Sequence, residues 1–269
     1  MNHSVPILLY HHVSPDRDMT PAAFERQLSF LLERGYQSLS LEELLEIVHG
    51  AKKARPRAFA VTFDDGYLDN WVYAFPVLEK LKVKAAFYLV TDYVESAGRR
   101  GPKDCRATRG PAERSAGGFL SWEEARAMDA SGLITWGSHT QTHRHWIRKN
   151  PYPDVERELK ESKALIERQM GRSCSHLSWP WGDFEKNWWP LLERAGYRSA
   201  VTTLAGANAA GTPPYALKRM NVSRPSVDWL SSRLRWHASV WSAAGFGLCY
   251  GWDRRLKSRF RSESPYSYG

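Results

Sequence analysis

An α/β barrel of parallel strands is the fold this sequence predicts, and three observations carry the prediction. Short apolar runs alternate with amphipathic helical segments along most of the chain. The residues capable of chemistry fall where those apolar runs end, which is where parallel barrels keep their active sites. A length of 269 residues is one that barrels routinely devote to a single core.

The first run, Val5-Pro6-Ile7-Leu8-Leu9-Tyr10, reads as a strand ending in the doublet His11-His12. Thr20 then precedes Pro21, a favourable first helical residue, and Phe24, Leu28, Leu31 and Leu32 recur on one face until Gly35 ends the segment. Ser40 and Glu43 have the spacing of a capping box, starting a second helix that stops near Gly50. A strand over Ala58–Phe63 leads into a helix over 68–81, with Pro76 as a kink or restart, and then a strand over 84–90. Residues 92–118 break the rhythm: six Arg or Lys, five Gly and two Pro, without apolar periodicity, predict a long loop or insertion. It would be either a lid over the site or a solvated loop. Ser121 and Glu124 make another capping box. Strands are then expected over 133–137, 175–179, 198–203 and 216–222, with helices over 154–170 and 185–195. This gives about seven strands with interposed helices.

Two motifs carry the chemistry. Thr62-Phe63-Asp64-Asp65-Gly66 closes one strand, and Ser138-His139-Thr140-Gln141-Thr142-His143 follows another. Asp65, His139 and His143 offer one oxygen and two imidazole nitrogens to a divalent ion and leave positions open for water. That is the pattern of a catalytic rather than a structural metal site. The histidines are four apart, so one helical turn or a tight loop sets both rings on one side. Neighbouring residues at a strand end point in different directions, so Asp65 can bind metal while Asp64 acts as a base.

Both motifs resemble those of the NodB-like polysaccharide deacetylases, carbohydrate esterase family 4, written T-F-D-D-G and H-[ST]-x-x-H; the resemblance extends over about residues 5–222. It implies a distorted (β/α)7 barrel of the NodB-homology type, Asp64 as catalytic base, and one divalent ion, zinc above all, on Asp65, His139 and His143. The Tyr10-His11 opening is similar to that of the subgroup containing the poly-N-acetylglucosamine deacetylases, which implies His11 as the general acid; the sequence leaves His12 as its rival. Trp179-Pro180-Trp181-Gly182 is similar to a family segment written P-Y-G, which implies that Pro180, Trp181 and Gly182 line the substrate site and that a backbone N–H nearby helps hold the oxyanion. Trp181 could equally be a packed core aromatic. In many members an arginine on this loop pairs with the catalytic aspartate. None occurs between Arg172 and Arg194, so that partner is missing or comes from elsewhere.

The implied activity is removal of an N-acetyl or related small acyl group from an amino sugar, in a cell-surface glycan or its lipid-linked precursor. The alternatives are a deacetylase of an exported polysaccharide and an inactive sugar-binding protein of the same fold. Lys and Arg number 38 against 29 Asp and Glu, a formal charge of +9, which suits anionic partners. No nucleic-acid motif accompanies it, and no nucleic-acid partner is expected. Cys105, Cys174 and Cys249 are too few and scattered for a disulfide framework. The barrel is expected over 1–225 and an aromatic, basic extension over 226–269. That extension holds Trp229, Leu230, Leu234, Trp236 and Trp241 beside Arg254, Arg255, Lys257, Arg259 and Arg261. It either caps the barrel or makes peripheral contact with an anionic membrane. With strand signal from Val5 onward and no leader-like segment, a cytoplasmic location is the expectation, on the inner membrane face where the tail binds lipid.

Overall fold

Three buried strands, β1 (Val5–Tyr10), β3 (Ala58–Phe63) and β4 (Ala85–Leu89), set the two faces of the sheet through their two-residue period. One set of alternate residues, among them Ile7, Ala60, Ala86 and Tyr88, packs with Val201 and Leu217 inside the barrel. The other set, among them Leu8, Phe63 and Phe87, packs outward against helices. Both faces are covered, so these strands read as unbroken apolar runs. The computed structural model describes residues 3–96, 118–145 and 154–237.

The remaining strands are β2 (Gln37–Ser38), β5 (Ile134–Ser138), β6 (His176–Ser178), β7 (Ser199–Val201), β8 (Ala207–Asn208) and β9 (Met220–Asn221). The main sheet runs β7-β6-β5-β4-β3-β1 with parallel pairing throughout, in registers such as Ile7 opposite Ala60 and Phe87 opposite Trp136. Met220 pairs with Leu8 of β1, while Leu217 bridges Val201 of β7. The run 217–221 therefore touches both edge strands and closes the sheet into the distorted barrel. β8 pairs antiparallel with β1.

Helices cover the outside, except that the helix over Leu41–Val48 buries Leu41, Leu44, Leu45, Ile47 and Val48 against the inward-facing set. The Thr20 hydroxyl accepts from the Ala23 N–H to start α1 (Pro21–Glu33), and the Ser40–Glu43 and Ser121–Glu124 capping boxes start α2 (Leu41–Val48) and α5 (Trp122–Asp129). Between these lie α3 (Phe75–Leu81) and α4 (Thr91–Ser96); α6 (Val155–Met170), α7 (Trp189–Arg194) and α8 (Val227–His237) follow.

Several elements differ from expectation. The helix over 68–81 is two pieces: Asn70–Ala74 is a π-helical turn, and α3 restarts with Pro76 in its first turn, where the missing N–H costs nothing. The stretch 92–118 begins inside α4; its residues 97–117, and the lid reading with them, lie outside the described residues. The helix over 185–195 is a 3-10 turn, Lys186–Trp188, followed by α7. The strand over 216–222 is a 3-10 turn at Pro214–Ala216, the Leu217 bridge and β9. Cys174 is free and buried, and Cys105 and Cys249 lie outside the described residues.

Of the expected C-terminal extension, α8 buries Leu230 and Leu234 in the outer core, so these two side chains place their apolar surface inside the protein. The rest, with all five basic residues of its cluster, lies outside the described residues. No helix among the described residues is long and apolar enough to cross a membrane.

Packing inside the barrel leaves no room at β5. A Cβ added to Gly137 would lie 2.5 Å from Tyr88 Cδ1 and 2.9 Å from the His176 carbonyl oxygen. Overpacking of this kind costs about 1–3 kcal/mol. Gly137→Ala is therefore expected to lower the unfolding free energy by that amount, read as a lower denaturant midpoint at unchanged slope, and an unshifted midpoint would show that the interior gives way there.

Candidate active site

The inward parity of β3 runs Ala58, Ala60, Thr62 and arrives at Asp64, which is 3% exposed. Its N–H still bonds to the Tyr10 carbonyl at 3.2 Å, so the β1 ladder holds it. The chain then reverses through two left-handed residues, Asp65 at φ 70° and Gly66 at φ 72°. A Cβ on Gly66 would meet Leu89 Cδ2 at 2.9 Å, so glycine is required there on both counts.

His139 continues β5, its N–H bonding to the Leu89 carbonyl at 2.8 Å. Of the two options the four-residue spacing allowed, the structure shows the loop: Thr140 and His143 adopt φ of 65° and 56°, which no helix contains. Glu158 of α6, itself 1% exposed, clamps this loop. It accepts from the Gln141 and Thr142 N–H groups at 2.9 Å and from the Thr142 hydroxyl at 2.7 Å.

The loop brings His139 Nε2 to 3.3 Å and His143 Nε2 to 3.2 Å from the same oxygen, Asp65 Oδ1. These three residues form a group whose ligand atoms lie within 4.8 Å of one another. Asp65 Oδ1 is buried and has no hydrogen bond of acceptable geometry. The His139 Nδ1 lies 2.8 Å from the Ser178 carbonyl, which can only accept, so Nδ1 carries a proton and in a neutral ring the Nε2 lone pair faces Asp65. Lone pairs converging on an orphaned carboxylate oxygen repel unless a cation lies among them, so the donor set fits a divalent ion.

Asp64 has the arginine the sequence lacked on the Pro-Trp-Gly loop. Arg219, in the closing run between β7 and β1, grips it with two parallel bonds of 2.7 Å, Nη1 to Oδ1 and Nη2 to Oδ2. The Arg219 Nε donates to the Thr202 carbonyl at 2.8 Å, and Nη2 also reaches the Ser178 hydroxyl, which itself donates to Asp64 Oδ2. Burial pushes the Asp64 pKa up; the charge of Arg219 and its hydrogen bonds push harder the other way and hold the carboxyl below its ordinary range. Sequence reasoning missed this residue: the closing run also carries Lys218 and Asn221, so nothing local marked Arg219 as the charge that would be buried.

The histidine doublet divides. His12 Nδ1 is 2.7 Å from Asp69 Oδ2, and its ring stacks on Tyr67 at 3.8 Å. His11 is fixed through its backbone, with the buried Asn70 amide donating to its carbonyl at 2.9 Å. Burial lowers the His11 pKa, against the Asp64 and Asp65 carboxylates, which raise it. Pro180, Trp181 and Gly182 form a 3-10 turn after β6, with Trp181 at φ 59°. Of the two readings of Trp181, the core one fails: it is 53% exposed, and the buried indole is Trp179. Trp181 Nε1 donates to the His143 carbonyl at 3.3 Å, which places the loop beside the metal set.

A parallel barrel whose strand ends bring together a histidine–carboxylate group that could hold a metal ion and a buried aspartate fits a hydrolase architecture. Residues 51–200 match the family described as polysaccharide deacetylase, and the chain belongs to it; it is a carbohydrate deacetylase of the NodB-like type. The Bacillus subtilis protein YxkH, assigned to the polysaccharide deacetylases, is 29% identical over 221 residues, 81% of this chain and 71% of its own length. The poly-β-1,6-N-acetyl-D-glucosamine N-deacetylase of Escherichia coli is 29% identical over 129 residues, 48% of this chain but 18% of that enzyme. The fold is shared with IcaB of Ammonifex degensii, at a TM-score of 0.74 and 23% identity over 86% of this chain and 97% of that one. It is also shared with the Streptococcus pyogenes deacetylase PplD, at 0.71 and 22% over 89% and 100%.

Removing one partner of a buried ion pair costs about 3–5 kcal/mol, because the other charge stays buried alone. Arg219→Met should lower stability by that order. It should also raise the Asp64 pKa and move the acid limb of kcat/KM to higher pH. The sign follows from the depressed folded pKa: the pair contributes stability above the unfolded carboxyl value of about 4 and loses it as pH falls through the folded one. Thermal unfolding and a pH–rate profile check both, and an acid limb that stays in place in Arg219→Met would mean that Arg219 does not set Asp64.

Proposed function

We propose that the protein is a metal-dependent N-deacetylase that removes an acetyl or related small acyl group from an amino-sugar residue of a cell-surface glycan. The observation that carries this reading is the convergence of His139 and His143 on the orphaned Asp65 oxygen, with Asp64 held ionised beside them. Relatives named for poly-β-1,6-N-acetyl-D-glucosamine support N-acetylglucosamine as the sugar that carries the acyl group.

Asp65, His139 and His143 would hold the ion, and zinc suits their one-oxygen, two-nitrogen set. Such an ion polarises an amide carbonyl and lowers the pKa of water. Asp64, kept as a carboxylate by Arg219, accepts the proton of the attacking water. Arg219 also fixes both carboxylate oxygens, so the base cannot rotate away. His11 protonates the amine as it leaves. Burial makes its imidazolium a stronger acid than an ordinary histidine, the useful direction for protonating a leaving amine, and activity falls as pH rises through its pKa. His12 is held to Asp69 and packs on Tyr67, which favours His11 in that role. The turn at Pro180–Gly182 lines the mouth, and its backbone at Trp181 is the source proposed for the oxyanion donor.

The purified protein is expected to carry about one divalent ion per chain, and His139→Ala or His143→Ala to lose most of it; elemental analysis showing unchanged content in both would remove the metal assignment. With β-1,6-linked N-acetylglucosamine oligomers, acetate release should stop on chelation and return with zinc. Asp64→Asn should keep the ion and lose roughly a hundredfold or more in turnover. His11→Ala should suppress amide hydrolysis far more than His12→Ala does. Near-normal turnover in Asp64→Asn, or the reverse ranking of the histidines, would reassign the roles.

A further inference from the structure

The end of the barrel opposite the catalytic mouth is basic. Asp64 and His139 sit where β3 and β5 finish, whereas residues 51–57 and 82–84 lead into the starts of β3 and β4. There a cleft of about 410 Å³ is lined by Lys52, Lys53, Arg55, Lys82 and Lys84 around apolar residues such as Leu32. A second cleft, of about 160 Å³, shares Tyr36 with the first and is lined by Arg34, Arg57 and Arg235. Glu43 is the one carboxylate in either lining, and Lys84 pairs with it at 2.8 Å. Lys52 is paired with Glu46 at 2.6 Å. Among the described residues, the other six cations, Arg34, Lys53, Arg55, Arg57, Lys82 and Arg235, have no carboxylate partner. On the helical flank, by contrast, Arg157, Lys160 and Arg194 are each ion-paired. The chain also returns to this end: α8 runs beside α1, from Val227 near Ser29 to Leu234 and Arg235 near Arg34, so the described residues reach His237 here. The sequence that follows adds Arg254, Arg255, Lys257, Arg259 and Arg261 against Asp253 and Glu263.

We propose that this basic end of the barrel is a docking surface for an anionic lipid bilayer, with one phosphate-bearing headgroup entering the larger cleft and its neighbours meeting Arg34, Arg57 and Arg235. Two features favour a bilayer over a single soluble phosphoester. Cation-lined clefts side by side call for phosphates repeated across a surface, and apolar residues among the cations suit the glycerol and upper acyl region of a lipid. Cations without internal partners give up no ion pair when they meet headgroups, and the attraction grows with each one that reaches the leaflet. Binding of this kind is reversible and weakens as salt rises. A strand of six residues spans about 20 Å, so docking at the strand starts holds the mouth that far from the lipid and open to solvent. On the deacetylase reading, which the docking itself does not require, the site then faces glycan chains standing off the surface rather than a sugar joined to a headgroup of the same bilayer.

The test sediments the full chain with vesicles of equimolar phosphatidylcholine and phosphatidylglycerol, and with vesicles of phosphatidylcholine alone. Wild type should bind the first and not the second, and should be released by salt. The triple variant Lys53→Gln, Arg55→Gln, Lys82→Gln removes three unpaired charges of the larger cleft and should weaken binding about tenfold or more. The matched triple Arg17→Gln, Lys186→Gln, Arg224→Gln removes the same net charge from exposed positions after β1, β6 and β9, at the mouth end, and should bind within about twofold of wild type. Thermal unfolding should be unchanged in both, since all six side chains are exposed. Amide hydrogen exchange of the vesicle-bound protein should slow over 51–57 and 82–84 and stay the same over 139–145 and 179–183. The proposal is overturned if wild type ignores anionic vesicles at low salt, if the two triples lose binding equally, or if protection centres on 139–145. Neutralising Arg254, Arg255, Lys257, Arg259 and Arg261 provides a further check: if that alone abolishes binding while the cleft triple binds as wild type does, the contact belongs to residues 238–269 and the clefts are not the docking surface. Binding to soluble polyphosphate that needs Lys53, Arg55 and Lys82, without binding to vesicles, would make the partner a polyanion in solution and reject the bilayer. None of these measurements involves turnover, so a protein that docks but deacetylates no oligomer would sink the deacetylase reading and leave this one standing.

Discussion

The buried pairing of Asp64 with Arg219 is the constraint on which the rest of this structure depends. A carboxylate that is 3% exposed cannot stay ionised without a partner, and the partner must itself be buried and hydrogen-bonded. Arg219 meets both conditions from the run that joins β7 to β1. Its Nε is bonded to the Thr202 carbonyl beyond β7, and its two Nη atoms hold the end of β3. Closure of the barrel and ionisation of the proposed base are thus one structural event. A barrel left open at that seam would leave two charges without partners.

Ser178, the last residue of β6, spreads this constraint to the metal set. Its hydroxyl donates to Asp64 and accepts from Arg219, while its carbonyl accepts from His139 Nδ1. The orientation of the His139 imidazole, a proposed metal ligand, and the geometry of the proposed base therefore share one support. Glu158 adds a second from the helical layer, converting the strained His139–His143 loop into one whose free N–H groups are satisfied.

The sequence showed clearly what depends on local order. The capping boxes at Ser40 and Ser121, the strands of the barrel core, and the positions of Asp64, Asp65, His139 and His143 all rest on spacing within a few residues, and each appears in the structure at its expected place. What could not be read depends on distant partners. Arg219 lies 155 residues from Asp64, and only the closing of the barrel brings them together. The π-helical turn at Asn70–Ala74 carries Asn70 to the His11 carbonyl, a partner 59 residues away that no helical period encodes. Trp179 and Trp181 are two residues apart in one motif yet have opposite fates. The left-handed backbone at Trp181 breaks the alternation that would have buried both.

The histidines show why a count of satisfied ring nitrogens separates structure from chemistry better than burial does. His176 lies 1% exposed inside the barrel, at the opposite end of β6 from Ser178, and would pass for a functional residue on burial alone. Both of its nitrogens are occupied, Nδ1 by the Ser199 hydroxyl at 2.8 Å and Nε2 by Glu42 at 2.9 Å, so it has nothing left to offer a ligand. The Glu42 carboxyl illustrates the bond's strength: although burial raises its pKa, the imidazole lowers it to about 2. His139 is buried just as deeply but is fixed through Nδ1 alone, with Nε2 aimed at an oxygen that has no proton to meet it. In one barrel the same side chain serves as a brace at one end and a proposed ligand at the other, and what separates the two is whether the second nitrogen has a hydrogen-bond partner.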